Sequence, residues 1–266
     1  MRRRNSILML ALLLGLVVSS SAAQRSIEGR WEGVMVREGA ELPVSFDFTR
    51  EAAGLTASFN SPTQRAMGIP LRNVSYTVPK VHFELVGDAT TIIFDGELNS
   101  DTIAGQFREG DAKGTFSIRH VDAKPPAFNQ EEVSFRNGDV TLSGTLLLPL
   151  TKGPHAAVVF LHGAGSEGRH GARFLAEYLT RYGIAALIYD KRGVGKSTGD
   201  WKRSDFSDLA GDAIAGIHFL QQRNEINPKQ IGLYGHSQGG MIAPLTASRS
   251  KDVAFIISGA SSAVPV

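Results

Sequence analysis

The stretch that most narrows the possible folds of this 266-residue chain is residues 231–241, IGLYGHSQGGM. A short apolar strand (231–234) runs directly into Gly235-His236-Ser237-Gln238-Gly239, and a segment of helical character follows at 240–248. A strand that turns so sharply into a helix has no room for a side chain two residues either side of the serine, which accounts for Gly235 and Gly239. The helix then directs its positive end back at Ser237. A G-x-S-x-G pattern also arises readily by chance, so its context has to decide. Gly195-Lys196-Ser197-Thr198-Gly199 is a second match, but four residues separate it from the preceding strand (184–190). Polar Asp200, Trp201, Lys202 and Arg203 follow it instead of a helix. Ser197 therefore reads as a loop serine and Ser237 as the candidate nucleophile.

From Glu131 onward strands alternate with helices. A hairpin of strands at 132–136 and 140–149, turning at Asn137-Gly138, leads into strand 156–161, helix 172–182, strand 184–190, helix 205–223, strand 231–234, helix 240–248 and strand 253–258. The strands are continuous apolar runs, such as Ala-Ala-Val-Val-Phe-Leu at 156–161. That pattern predicts a mostly parallel sheet, covered on both faces by crossover helices. Ser204 or Asp205 is placed to cap the second helix.

Residues 27–121 have a different rhythm. Eight short strands are expected at 27–36, 42–49, 55–59, 74–78, 81–86, 91–98, 102–108 and 113–119, separated by turns such as Asn99-Ser100-Asp101 and Glu109-Gly110-Asp111. This spacing predicts a small antiparallel all-β domain, a meander closed into a barrel or half-barrel. Gly29-Arg30-Trp31 is similar to the opening of lipocalin-like barrels. Such a domain serves either as a ligand cup or as a scaffold packed on its neighbour, and the scaffold is the plainer expectation. Residues 122–130, with Pro125-Pro126, form a stiff linker.

The first 23 residues stand apart from both regions. Arg2-Arg3-Arg4, an apolar run of twelve at 7–18 and small residues up to Ala23 make a secretory signal peptide, cut near Ala23, so the mature protein is expected to be exported. Twelve apolar residues are too few for a stable membrane anchor. There is no cysteine, hence no disulfide and no lipidated cysteine. Without the three leader arginines, 25 basic residues face 26 acidic ones. That balance points to neither nucleic acid nor an anionic surface as partner.

Three chemistries compete for the loops after the parallel strands. His162-Gly163-Ala164-Gly165, extended to Gly168, spells G-x-G-x-x-G, with Asp190 at the end of the next strand. This imitates a dinucleotide fingerprint, but Arg169-His170-Gly171 prolong the loop where the third glycine should already lie in a helix. Gly193-Val194-Gly195-Lys196-Ser197-Thr198 imitates a phosphate loop, yet Asp190 occupies the position that requires its first glycine. Acyl transfer explains the loops together. The tetrahedral intermediate carries an oxyanion that needs two backbone N–H donors. Gln238, just after the nucleophile, would supply one, and the 162–165 loop the other, with Ala164 first and Gly165 next.

HGAG (162–165), YDKRGVGKSTG (189–199) and GHSQGG (235–240) stand in an order that resembles the α/β-hydrolases. The likeness is narrower to exported bacterial esterases and prolyl-oligopeptidase-like hydrolases with an N-terminal β-domain. It implies acyl hydrolysis by a Ser-His-acid triad without metal or organic cofactor, and a structural role for Asp190, Arg192 and Ser197. The expected fold is thus an α/β-hydrolase domain at 131–266, incomplete at its C-terminal end, behind the β-domain.

The triad itself is not complete in the sequence. No histidine follows Ser237, and the one later acid, Asp252, precedes the strand at 253–258, away from the carboxyl ends where such sites form. His170, in a flexible loop, is the upstream histidine to test. The chain reads as the N-terminal part of a longer enzyme lacking roughly 100 residues or more, and residues 1–266 alone are expected to be inactive. The expected substrate is a small-molecule carboxylic ester. A short peptide is the alternative for a serine peptidase of aminopeptidase or prolyl-oligopeptidase type, and a non-catalytic binding module is the alternative of a different class.

Overall fold

The computed structural model describes residues 26–261 except 88 and 123. The signal peptide expected at 1–23 lies outside the described residues. No helix among them is long and apolar enough to cross a membrane.

The N-terminal half is one antiparallel sheet of nine strands. These are β1 (Gly29–Arg37), β2 (Ala40–Glu51), β3 (Gly54–Ser61), β4 (Ala66–Pro70), β5 (Arg72–Thr77), β6 (Lys80–Val86), β7 (Thr91–Asn99), β8 (Thr102–Glu109) and β9 (Ala112–Val121). Their order is β4-β3-β2-β1-β9-β8-β7-β6-β5, so the first strand pairs with the last. The two ends of that order, β4 and β5, are consecutive in the chain, and between them Leu71 N–H donates to Ala57 O of β3 at 2.9 Å. The meander thus curls into a barrel. The one strand the alternation did not reveal is β4, whose Gly68 and Pro70 weaken any strand signal.

Aromatic rings fill the barrel. Phe46, Phe83, Phe94 and Phe116 are fully buried, with Phe83 and Phe94 stacked at 4.7 Å and Phe46 against Phe83 at 5.0 Å. Trp31 closes one end, its indole N–H donating to Ile27 O at 2.8 Å. A core packed this way leaves little room for a ligand among these rings.

The second half contains β10 (Phe128–Asn137), β11 (Val140–Pro149), β12 (His155–Leu161), α1 (His170–Arg181), β13 (Ala185–Tyr189), α2 (Phe206–Gln221), β14 (Ile226–His236), α3 (Gln238–Arg249) and β15 (Phe255–Gly259). Its sheet runs β10-β11-β13-β12-β14-β15. β11 is antiparallel to both its neighbours, and β13, β12, β14 and β15 are mutually parallel. The strand alternation sorts the two faces. Ala157, Val159 and Leu161 of β12 pack with Leu209, Ala213, Ile217 and Ile242 from α2 and α3, while Val158 and Phe160 pack with Ala176 of α1.

Several boundaries differ from expectation for local reasons. The linker is shorter, because Phe128 already pairs with Pro149 and is buried against the α1 face. The hairpin turns at Gly138-Asp139, since Asn137 still pairs with Val140 while its side-chain amide donates to Asp212 Oδ1 at 2.9 Å. Asp205 caps α2 through a reciprocal pair with Asp208, whereas Ser204 is used by Arg192. Helix α1 starts at His170, so that residue is not in a flexible loop and the loop before it is shorter than expected. The barrel rests on this helix through β4, where Gly68 meets Arg173 so closely that a Cβ would lie 2.9 Å from Arg173 Cδ.

Candidate active site

Strand β14 ends at His236 and α3 begins at Gln238, so Ser237 alone makes the turn. Its backbone has φ 51 and ψ −117, a conformation that L-residues rarely adopt and that costs on the order of 1–3 kcal/mol. Two hydrogen bonds hold it there. Ser237 N–H donates to Gly259 O at 2.9 Å, and Gly240 N–H donates to Ser237 O at 3.0 Å. The flanking glycines are needed for close approach. A Cβ on Gly235 would lie 2.1 Å from Gly239 O, and one on Gly239 would lie 2.7 Å from Leu161 O. That second contact also presses the turn against the carboxyl end of β12.

The loop that leaves β12 therefore stands beside the serine, and α3 starts there with no acid in its first turn to offset its positive end. Gln238 N–H, the first amide of the helix, has no acceptor within it. In the 162–165 loop, Gly163 N–H is taken by Glu167 Oε2 at 2.7 Å. Ala164 is exposed, and Gly165 turns the chain at φ 98. Gly163 is thereby removed from the possible oxyanion donors, and Ala164 and Gly165 remain.

The loop after β13 is a scaffold of buried charge. Arg169 donates to both oxygens of Asp190, at 3.1 and 2.9 Å, and Arg192 grips Asp212 of α2 with two bonds of 2.7 Å. Burial raises the Asp190 carboxyl, but the Arg169 guanidinium and the Lys196 and Arg169 amides outweigh it and hold the group below its usual range. Ser197 is buried, its hydroxyl donating to Asp190 O at 2.7 Å and accepting from Ser143 N–H at 2.9 Å. An Asp190 paired with arginine is not free for a ribose, and a Ser197 bonded in this way is not free to attack.

No histidine hydrogen-bonds the Ser237 hydroxyl among the described residues. His236 is exposed at the end of β14. His218 sits 3.5 Å from Asp252 on the surface, beyond the amino end of β15. His170 Nδ1 is buried at the start of α1 without a partner. His162 is tied by Nε2 to Tyr189 O at 2.6 Å. Burial pushes its pKa down to about 4, with Lys191 adding to the effect, against an ordinary value of 6.5. Between these values the unfolded chain binds a proton that the folded one refuses, so folding stability falls as pH drops from about 6.5 to about 4. Urea midpoints should show it: acidification across this window is expected to destabilise the wild type more than His162→Asn. Equal losses would assign the effect to other groups.

Reading the sequence did not single out Lys191, Glu167 or Arg169. The signal available was a run of three charged residues, Asp190-Lys191-Arg192, directly after a fully apolar strand, and all three are buried. No cluster of three or more His, Cys, Asp or Glu among the described residues could hold a metal ion.

Residues 152–265 match the family described as serine aminopeptidase, S33. The matched region carries the elbow, the loop after β12 and the parallel strands that hold them. This half of the chain is thus similar to the α/β-hydrolases. Esterase EstD of Thermotoga maritima is 28% identical over 174 residues, covering 60% of this chain and 41% of its own length. That share exceeds residues 131–266, so the likeness extends into the barrel. Thiohydrolase aneE of Aspergillus aculeatus is 34% identical over 129 residues, covering 48% of this chain and 40% of its own length. The solved α/β-hydrolase GrgF from Penicillium has 27% identity and a TM-score of 0.47, covering 50% of this chain and 46% of that one. The chain spans about two fifths of the length of the curated relatives it matches.

Proposed function

We propose that the full-length protein is an exported serine hydrolase that cleaves carboxylic esters through an acyl-enzyme on Ser237. The observation that carries this reading is the strained backbone of Ser237, alone between a parallel strand and a helix N-terminus. Such strain persists only where the surroundings enforce it, and here it presents a hydroxyl beside two sets of N–H donors. The ester assignment is supported by the likeness to EstD.

In this mechanism Ser237 Oγ attacks the acyl carbonyl and its proton passes to a histidine. The carbonyl electron pair moves onto oxygen, where the Ala164 and Gln238 N–H groups hold it. Collapse breaks the bond to the alcohol, which leaves with the proton, and water repeats the sequence to release the acid. The histidine and its carboxylate partner are proposed to come from sequence outside residues 26–261, so this segment alone is expected to show no turnover.

A peptidase is the second reading, because the matched family is one of serine aminopeptidases. The two separate by assay of the full-length protein on p-nitrophenyl acetate and butyrate against aminoacyl p-nitroanilides. Turnover of the esters is expected, with the anilides at background. Faster anilide cleavage would make it a peptidase. Activity on neither would return the non-catalytic binding module to first place.

A further inference from the structure

One buried charge next to the elbow has no part in the chemistry above. Lys191 is 2% exposed, and its ammonium makes three hydrogen bonds: to Gly163 O at 2.9 Å, Gly165 O at 3.1 Å and Gln238 Oε1 at 3.0 Å. An ammonium has three donors, and all three are used. Trp201 lies alongside with its ring centre 5.4 Å from Nζ. The acceptors come from the two segments that carry the candidate oxyanion donors, and no other side-chain hydrogen bond among the described residues joins those segments.

The geometry points to Lys191 as a positioning residue, whose ammonium fixes the Gly163–Gly165 loop against Gln238 so that the Ala164 and Gln238 N–H groups face the same oxyanion. In a trans peptide the C=O and the following N–H point in opposite directions. Holding Gly163 O against Lys191 therefore turns Ala164 N–H to the far side of that peptide, away from the ammonium. The Glu167 carboxylate, by occupying Gly163 N–H, fixes the same loop from its other end. Burying an ammonium is costly, and a lysine that served only to fill space would be replaced with advantage by an apolar side chain. A role in aligning donors gives the charge a use.

This inference rests on Ser237 being the nucleophile, and the two are tested separately in the full-length protein with p-nitrophenyl butyrate. Lys191→Met keeps the bulk and removes the clamp. Donors act on the transition state, and a misplacement of about 1 Å costs about 10²-fold. A fall in kcat of about 10²-fold with little change in KM is expected. Affinity for an aryl trifluoromethyl ketone, which adds the serine and forms the same oxyanion, should fall by a similar factor. Gln238→Ala keeps the backbone donor but removes one acceptor of the clamp, so its loss should be smaller and should nearly vanish in the Lys191→Met background. It also serves should Lys191→Met not fold. Loss of activity in Ser237→Ala with unchanged kcat in Lys191→Met and Gln238→Ala would overturn the clamp alone. A lowered melting temperature with unchanged ketone affinity would do the same. A wild-type protein that neither hydrolyses the ester nor binds the ketone would overturn both.

Discussion

Ser237→Ala in the full-length protein is expected to lower ester turnover by roughly 10⁴–10⁶-fold, the scale seen when the nucleophile of a complete triad is removed. The loss should fall on kcat. The fold should hardly notice, because the Ser237 hydroxyl makes no hydrogen bond among the described residues, and the two backbone bonds that hold the turn do not involve the side chain. Alanine must still adopt φ 51, a strain the serine already bears. A melting temperature unchanged within a few degrees, with activity near background, is the expected pair of results. A drop below tenfold would mean that bond breaking does not depend on this hydroxyl.

The second large effect concerns stability. Asp212→Ala removes the buried carboxylate of Arg192, which keeps only Ser204 Oγ, Asp208 O and, at 3.5 Å, the half-exposed Asp208 carboxylate. The pair is joined by two bonds of 2.7 Å, and Asp212 is only 1% exposed. Breaking such a pair from one side costs about 3–5 kcal/mol, far more than the net worth of the pair itself. Asn137 and the β10–β11 hairpin would lose an acceptor in the same step. For a domain of this size the melting temperature should fall by roughly 6–20 °C. Glu32→Ala provides the contrast, since its pair with Arg30 on the barrel is largely exposed and such pairs are worth about 0–1 kcal/mol. Similar losses in the two variants would show that the loop after β13 does not depend on buried charge.

Much of this architecture is legible in the residues because burial writes a period into them. The apolar runs of β12 and β13 mark strands covered on both faces, whereas the run of β15, which read the same way, lies at the sheet edge with Ile256 and Ile257 exposed. The alternation of β6 to β9 marks strands with one face inside a barrel. The elbow is legible for a steric reason, as Gly235 and Gly239 each meet backbone where a Cβ would stand. What stayed hidden depends on partners distant in the chain. Residues 226–230 carry Asn227 and Pro228 and read as a loop, yet Ile226 pairs with His155 across the sheet and extends β14. Helix α1 begins at His170 although Gly171 is a poor helix former, because packing on the sheet outweighs local propensity. Lys191 gave only the sign of standing in a charged run after an apolar strand, since a lysine reads as exposed until three acceptors from two other segments are seen around it.

The most direct measurement is to treat the full-length protein with a fluorophosphonate, in which an activated serine displaces fluoride from phosphorus, and to locate the adduct by mass spectrometry. One adduct per chain is expected, on the peptide that contains Ser237, and none in Ser237→Ala. An adduct on another residue, or an unlabelled protein that still hydrolyses esters, would contradict the assignment of Ser237 as the nucleophile.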